Sequence, residues 1–121
     1  MSGLETNSPI TSGARILVAE DNRVNQIVMV RLLEKRGAQA LVANNGKEAL
    51  DIHTSAPVDL ILMDIQMPEM DGREATRRIR EQEKSTGSHV PIMALTAHAM
   101  KGDREKCIRA GMDGYLAKPI Q

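Results

Sequence analysis

Val58-Asp59-Leu60-Ile61-Leu62-Met63-Asp64, continued by Ile65-Gln66-Met67-Pro68-Glu69-Met70-Asp71-Gly72, is the stretch that decides how this chain folds. Val58 to Met63 is so nearly uniformly apolar that it suits a strand buried on both faces, and Asp64 ends it. Three other apolar runs end in a comparably reactive residue. Glu20 and Asp21 follow Arg15 to Ala19, Thr96 follows Val90 to Leu95, and Lys118 follows Tyr115 to Ala117. If these runs are neighbouring parallel strands, their carboxyl ends lie side by side and gather residues far apart in sequence. In open α/β sheets that edge is where ligands bind.

Working outward, strands and helices alternate. Arg15 to Ala19 reads as the first strand. Arg23 to Arg36 reads as a helix carrying Val24, Ile27, Val28 and Leu32 at helical spacing and stopped by Gly37. Ala38 to Ala43 is a second strand. A second helix starts near Gly46, sets Ala49, Ile52, His53 and Ala56 on one face and stops before Pro57. The third helix, Gly72 to about Lys84, is densely charged, with Glu74 opposite Arg78 and Arg77 opposite Glu81, which suits a solvated face. Glu83 to His89 reads as a loop, and Val90 to Leu95 as a fourth strand with Pro91 near its start because proline lacks a ladder donor. A fourth helix covers roughly Ala99 to Ala110, ends at Gly111, and leads to a fifth strand over Gly114 to Ala117.

Alternating strands and helices imply right-handed parallel crossovers with helices on both faces. The predicted fold is therefore α/β, a flavodoxin-like, doubly wound, five-stranded parallel sheet of order 2-1-3-4-5. That order places strand two, which ends in Ala43, Asn44 and Asn45, at the edge, away from the four reactive ends.

Glu20, Asp21 and Asp64 together offer the hard oxygen ligands that Mg²⁺ takes in octahedral geometry, and their mutual repulsion is relieved by a divalent cation and by Lys118. Asp64, central among the strand ends, has a nucleophile's position for aspartyl-phosphate chemistry, where catalysis is mostly positioning and charge neutralisation. Lys118 and the Thr96 hydroxyl would meet other phosphoryl oxygens, and the small Ala97 leaves room for the donor.

The 121 residues suffice for one compact domain. Residues 1–13 are polar and glycine-containing and read as a disordered linker or tail, leaving 14–121 as the domain. Lys and Arg number 16, as do Asp and Glu, so no general attraction to nucleic acid or an anionic membrane is expected. A single cysteine, Cys107, excludes an internal disulfide and fits a packed residue in a reducing, cytoplasmic setting. No run approaches the ~20 apolar residues of a membrane span, although a longer parent protein could carry an anchor elsewhere. With no Trp, no Phe and only Tyr115, the core must be aliphatic, with eight Met among its fillers.

Four motifs in order, the Asp64 to Gly72 stretch with Glu20-Asp21, Thr96-Ala97 and Lys118-Pro119, make the chain from about Arg15 to Ile120 resemble a two-component receiver domain. Glu20-Asp21-Asn22 with Asn25, and Thr96-Ala97-His98-Ala99-Met100, are most similar to receivers fused to hybrid sensor histidine kinases. The resemblance implies phosphorylation of Asp64 by a phosphohistidine. It also implies Mg²⁺, or Mn²⁺ in its place, held by Asp21, Asp64 and the Gln66 backbone carbonyl, with Glu20 acting through water. It further implies a cis Lys118-Pro119 bond, a switch formed by Thr96 and Tyr115, and as partner a histidine kinase or a histidine-containing phosphotransfer domain, with a homodimer as a further option. Receivers normally continue into a fifth helix, whereas this sequence ends two residues after Pro119, so the fifth helix is expected to be absent and the face it helps to build incomplete.

Two other function classes fit less well. A phosphatase turning over an aspartyl phosphate wants a second acid two positions after the nucleophile, where Gln66 stands. A purely protein-binding module has no need of Asp21, Asp64, Thr96 and Lys118 together. No glycine spacing suggests a nucleotide-phosphate loop, and His53, His89 and His98 lack the spacing of transition-metal ligands.

Overall fold

A computed structural model describes residues 13–65, 70–96 and 101–117, with the backbone alone at 96, 101–104, 116 and 117. Its elements run β1 (Arg15–Ala19), α1 (Arg23–Lys35), β2 (Gln39–Ala43), α2 (Gly46–Ser55), β3 (Leu60–Asp64), α3 (Gly72–Thr86), β4 (Ile92–Thr96), α4 (Lys101–Ala110) and β5 (Gly114–Ala117). All strand pairs are parallel, in the order β2-β1-β3-β4-β5. The tail at 1–12 lies outside the described residues.

Alternation along the strands divides the core into two layers. Leu17, Ala19, Ile61, Met63, Ile92 and Ala94 face α2, α3 and α4, meeting Ala49, Ala75, Ile79 and Cys107. Ile16, Val18, Leu60, Leu62 and Leu95 face the opposite side, where α1 supplies Met29 and Leu33. β3 is buried along its whole length, as its composition requires, and Cys107 is a packed core residue. Tyr115 packs half-buried against the three-helix layer. No helix among the described residues is long and apolar enough to cross a membrane.

Several boundaries differ from the sequence-based expectation, each for a visible reason. β3 starts at Leu60 because Asp59 is used as a clamp: its carboxylate accepts from the Arg15 N–H at 2.8 Å, and its own N–H donates to the Arg15 carbonyl at 2.7 Å. β4 starts at Ile92 because Val90 is already engaged: its N–H donates to Glu83 Oε2 and its carbonyl accepts from Arg80. α3 continues through the expected loop to Thr86, since the Ser85 and Thr86 hydroxyls donate back to the Gln82 and Glu83 carbonyls. Gly87 ends it at φ +76, with its N–H returned to Glu83. The start expected for the fourth helix, Ala99, lies outside the described residues.

Two side-chain expectations are corrected. Arg77 pairs with Glu74 at 2.7 Å rather than with Glu81, which meets Lys84 at 3.6 Å. On α1 the buried residues are Met29 and Leu33, whereas Val24, Ile27 and Val28 are 68%, 44% and 45% exposed and Leu32 is half-buried. Helical spacing identifies a stripe but not which of two overlapping stripes the sheet accepts.

Candidate functional site

The carboxyl ends of β1 and β3 bring Glu20, Asp21 and Asp64 together. Their carboxylate oxygens lie within 4.8 Å of one another. Glu20 is 1% exposed and Asp64 4%, while Asp21 is open to solvent, so the cluster has a buried floor and an accessible rim.

Local hydrogen bonds explain why these carboxylates point where they do. The Glu20 N–H donates to the Ala43 carbonyl at 3.0 Å, extending the β1–β2 ladder by one bond. Its carboxylate accepts from the Asn22 N–H at 3.0 Å and from Asn25 Nδ2 at 3.5 Å. Asn22 is also the N-cap of α1, accepting from the Asn25 N–H at 3.1 Å. Gln26 Nε2 donates to the Glu20 carbonyl and, at 2.8 Å, to Asn44 Oδ1, tying the acidic turn to the edge-strand turn. Asp64 is the last residue of β3, in register with Leu95, and the next N–H, Ile65, donates to the Leu95 carbonyl at 3.3 Å.

Two glycines allow helices to approach this rim. A Cβ built on Gly72 would collide with the Asp64 carbonyl and come within 2.8 Å of Met63 Cγ. One built on Gly46 would collide with the Met70 carbonyl, which accepts the Gly46 N–H at 3.1 Å. The start of α3 therefore rests directly on the backbone of Asp64. Asp71 caps that helix, accepting from the Glu74 N–H at 2.9 Å.

The donor set consists of carboxylate oxygens without imidazole or thiolate, the chemistry that suits Mg²⁺ or Mn²⁺. Three carboxylates this close repel one another when ionised, and a divalent cation relieves that repulsion. Of the other residues expected at the site, Thr96 ends β4 in register with Ala117 of β5, so its backbone reaches the same rim. The Thr96 side chain, Gln66, Lys118, Pro119 and His98 lie outside the described residues. Tyr115 stands opposite Ala94, two residues from the rim. His53 and His89 are far from any such cluster in role: His53 lies half-buried in α2, and His89 meets Asp113 at 2.8 Å.

Asn22, Asn25, Gln26, Gly46 and Gly72 were not singled out for these roles by sequence reasoning. The signal for the caps Asn22 and Asp71 exists as an Asn or Asp just before each helix. For Gly46 and Gly72 there is none, because a close approach by a distant backbone leaves no local pattern.

The response regulator receiver domain family model matches residues 16–121. Hybrid signal transduction histidine kinase I of Dictyostelium discoideum is 49% identical over 123 residues, covering 98% of this chain and 7% of that protein. The chain thus spans a small fraction of the curated relatives it matches. Among solved structures, the receiver domain of Saccharomyces cerevisiae Ssk1 crystallised with the histidine phosphotransfer protein Ypd1 superposes with a TM-score of 0.87 at 34% identity, covering 93% of this chain and 83% of that one. The receiver domain of Pseudomonas aeruginosa sensor histidine kinase PA1611, with a magnesium ion in its active-site cleft, gives 0.81 at 45% identity, covering 91% and 88%.

Proposed function

Because the chain belongs to the response regulator receiver domain family, we propose that Asp64 is the phosphoacceptor of a phosphorelay, taking a phosphoryl group from a phosphohistidine. The observation that carries this reading is the convergence of Glu20, Asp21 and Asp64 within 4.8 Å at the carboxyl ends of two neighbouring strands. An Asp64 carboxylate oxygen forms the new P–O bond as the P–N bond to imidazole breaks, and the departing imidazole nitrogen takes up a proton. The domain is a stoichiometric acceptor with no turnover of its own.

Asp21 and Asp64 would hold Mg²⁺, with the Gln66 carbonyl as a further ligand and Glu20 through water. Bound there, the ion supplies positive charge against the carboxylates and the incoming phosphoryl oxygens. Glu20, held by the Asn22 N–H and Asn25, keeps the floor of the site in place. Thr96 and Lys118 would meet the remaining phosphoryl oxygens, and Thr96 with Tyr115 would relay the added charge to the β4–β5 side of the sheet.

The donor would be a histidine kinase or a histidine-containing phosphotransfer domain, as the Ypd1 complex of the Ssk1 receiver supports. α1 begins two residues after Asp21, and its exposed Val24, Ile27 and Val28 offer an apolar contact beside the site.

The test is incubation with Mg²⁺ and acetyl phosphate, read by intact-protein mass. Wild type gains one phosphoryl group and Asp64→Asn does not; equal labelling of both removes Asp64 from the role. In the same assay Asp21→Asn should need a higher Mg²⁺ concentration for half-maximal labelling, and an unchanged titration removes Asp21 from the ligand set.

A further inference from the structure

A second polar cleft opens between α3 and α4, lined by none of the three rim carboxylates. α3 and α4 flank a cleft of about 320 Å³ lined by Asp71, Arg73, Arg77, Lys106, Arg109 and Ala110. The chain is charge-balanced overall, with 16 residues of each sign, so four cations in one groove are a local concentration. Arg77 is partly neutralised by Glu74 at 2.7 Å. The Asp71 carboxylate faces the Glu74 N–H as a helix cap. Arg73, Lys106 and Arg109 form no ion pair among the described residues. Neighbouring guanidinium and ammonium groups repel, and an anionic occupant relieves that repulsion.

We propose that this α3–α4 cleft binds an extended acidic segment of a protein partner. On each wall the cations sit three or four residues apart on a helix, a separation of roughly 5–6 Å. Alternate residues of an extended chain present side chains on one side about 7 Å apart, so successive carboxylates match successive cations. Nucleic acid fits less well. The only aromatic residue of the chain, Tyr115, does not line the cleft, so bases have no stacking platform. Four cations also fall short of the roughly 6–10 phosphate contacts of a typical duplex binder. Asp64 does not line the cleft, so binding can be tested on the unphosphorylated protein and read separately from the phosphorelay proposal.

The probe is a short fluorescein-labelled peptide in which Glu alternates with Ser, followed by fluorescence anisotropy at about 30 mM and about 300 mM ionic strength. Arg73→Gln with Arg109→Gln should weaken binding roughly tenfold at low salt, and raising the salt should weaken the wild-type complex comparably. Arg73→Lys with Arg109→Lys should restore most of it. Removing two cations from α1, Arg23→Gln with Arg31→Gln, should change it by no more than about twofold. Unaltered thermal denaturation of the glutamine variant assigns its loss to the cleft. The proposal is overturned if wild type fails to bind at low salt, or if the cleft variant loses no more than the α1 variant. It is also overturned if a short single-stranded oligonucleotide binds more tightly than the peptide through the same arginines.

Discussion

Arg80 and Glu83 make the sharpest quantitative prediction. Arg80 is 16% exposed and Glu83 5%, and their 2.7 Å pair is the hub of a brace at the amino ends of β4 and β5. Arg80 also donates to the Gly111 carbonyl at 2.9 Å, to the Val90 carbonyl at 2.8 Å and to Asp113 at 2.7 Å. Arg80→Met leaves the Glu83 carboxylate buried with the Val90 N–H as its remaining donor among the described residues and strips two carbonyls, which should cost about 3–5 kcal/mol. Glu83→Met leaves Arg80 with Asp113 and both carbonyls, at about 2 kcal/mol. The double variant buries no charge at this position and should cost only about 2–3 kcal/mol, because an ion pair replaced by apolar groups of similar volume is often close to neutral. The coupling energy is then about 2–5 kcal/mol, well above the ~0.5 kcal/mol within which independent sites add. Urea denaturation of all four proteins, followed by far-UV circular dichroism, measures it. Costs that simply add would show that the two charges are not interdependent and that the brace does not act as one unit.

The other expectations concern the rim, the exposed apolar face of α1 and a half-buried imidazole. Gly72→Ala should destabilise the fold by about 1–3 kcal/mol despite alanine's higher helix propensity, because its methyl meets the Asp64 carbonyl; a variant as stable as wild type in urea contradicts the contact. Ile27→Asp should slow phosphoryl transfer from a phosphohistidine protein while leaving labelling by acetyl phosphate unchanged, and an equal effect on both donors would move the defect into the site. Desolvation holds His53 below its ordinary pKa of 6.5, Glu83 opposing and Arg80 assisting, and its buried Nδ1 has no hydrogen-bond partner among the described residues. Because the unfolded chain then binds the proton first, stability is full above about 6.5 and falls as pH drops through the lowered folded value. His53→Gln should flatten that slope in urea titrations between neutral and mildly acidic pH; parallel slopes would refute the assignment.

The sheet was readable because β1, β3 and β4 are dense in Ile, Leu, Val, Ala and Met, and each either ends in a polar residue, Asp64 or Thr96, or runs straight into one, Glu20. The acidic cluster followed from the same strand ends. What could not be read depends on contacts across long separations. Arg80 and Glu83 sit in a helix whose composition suggests a solvated face throughout, and only Asp113 and Val90 reveal why that end is buried. The orientation of α1 was misjudged because Met29 and Leu33 form a stripe as apolar as the one carrying Val24, Ile27 and Val28, and burial chose between them. The loop expected at Ser85 and Thr86 became helix because their hydroxyls bond back onto its last turn.

Tyr115, the lone aromatic side chain, half-buried on β5 against the helical layer, makes the protein its own spectroscopic sensor. Its intrinsic emission and near-ultraviolet signal come from one ring at one known address, with no tryptophan to mask it. A titration with magnesium or a phosphodonor can therefore be followed without labels, and any optical change belongs to the seam between the last two strands.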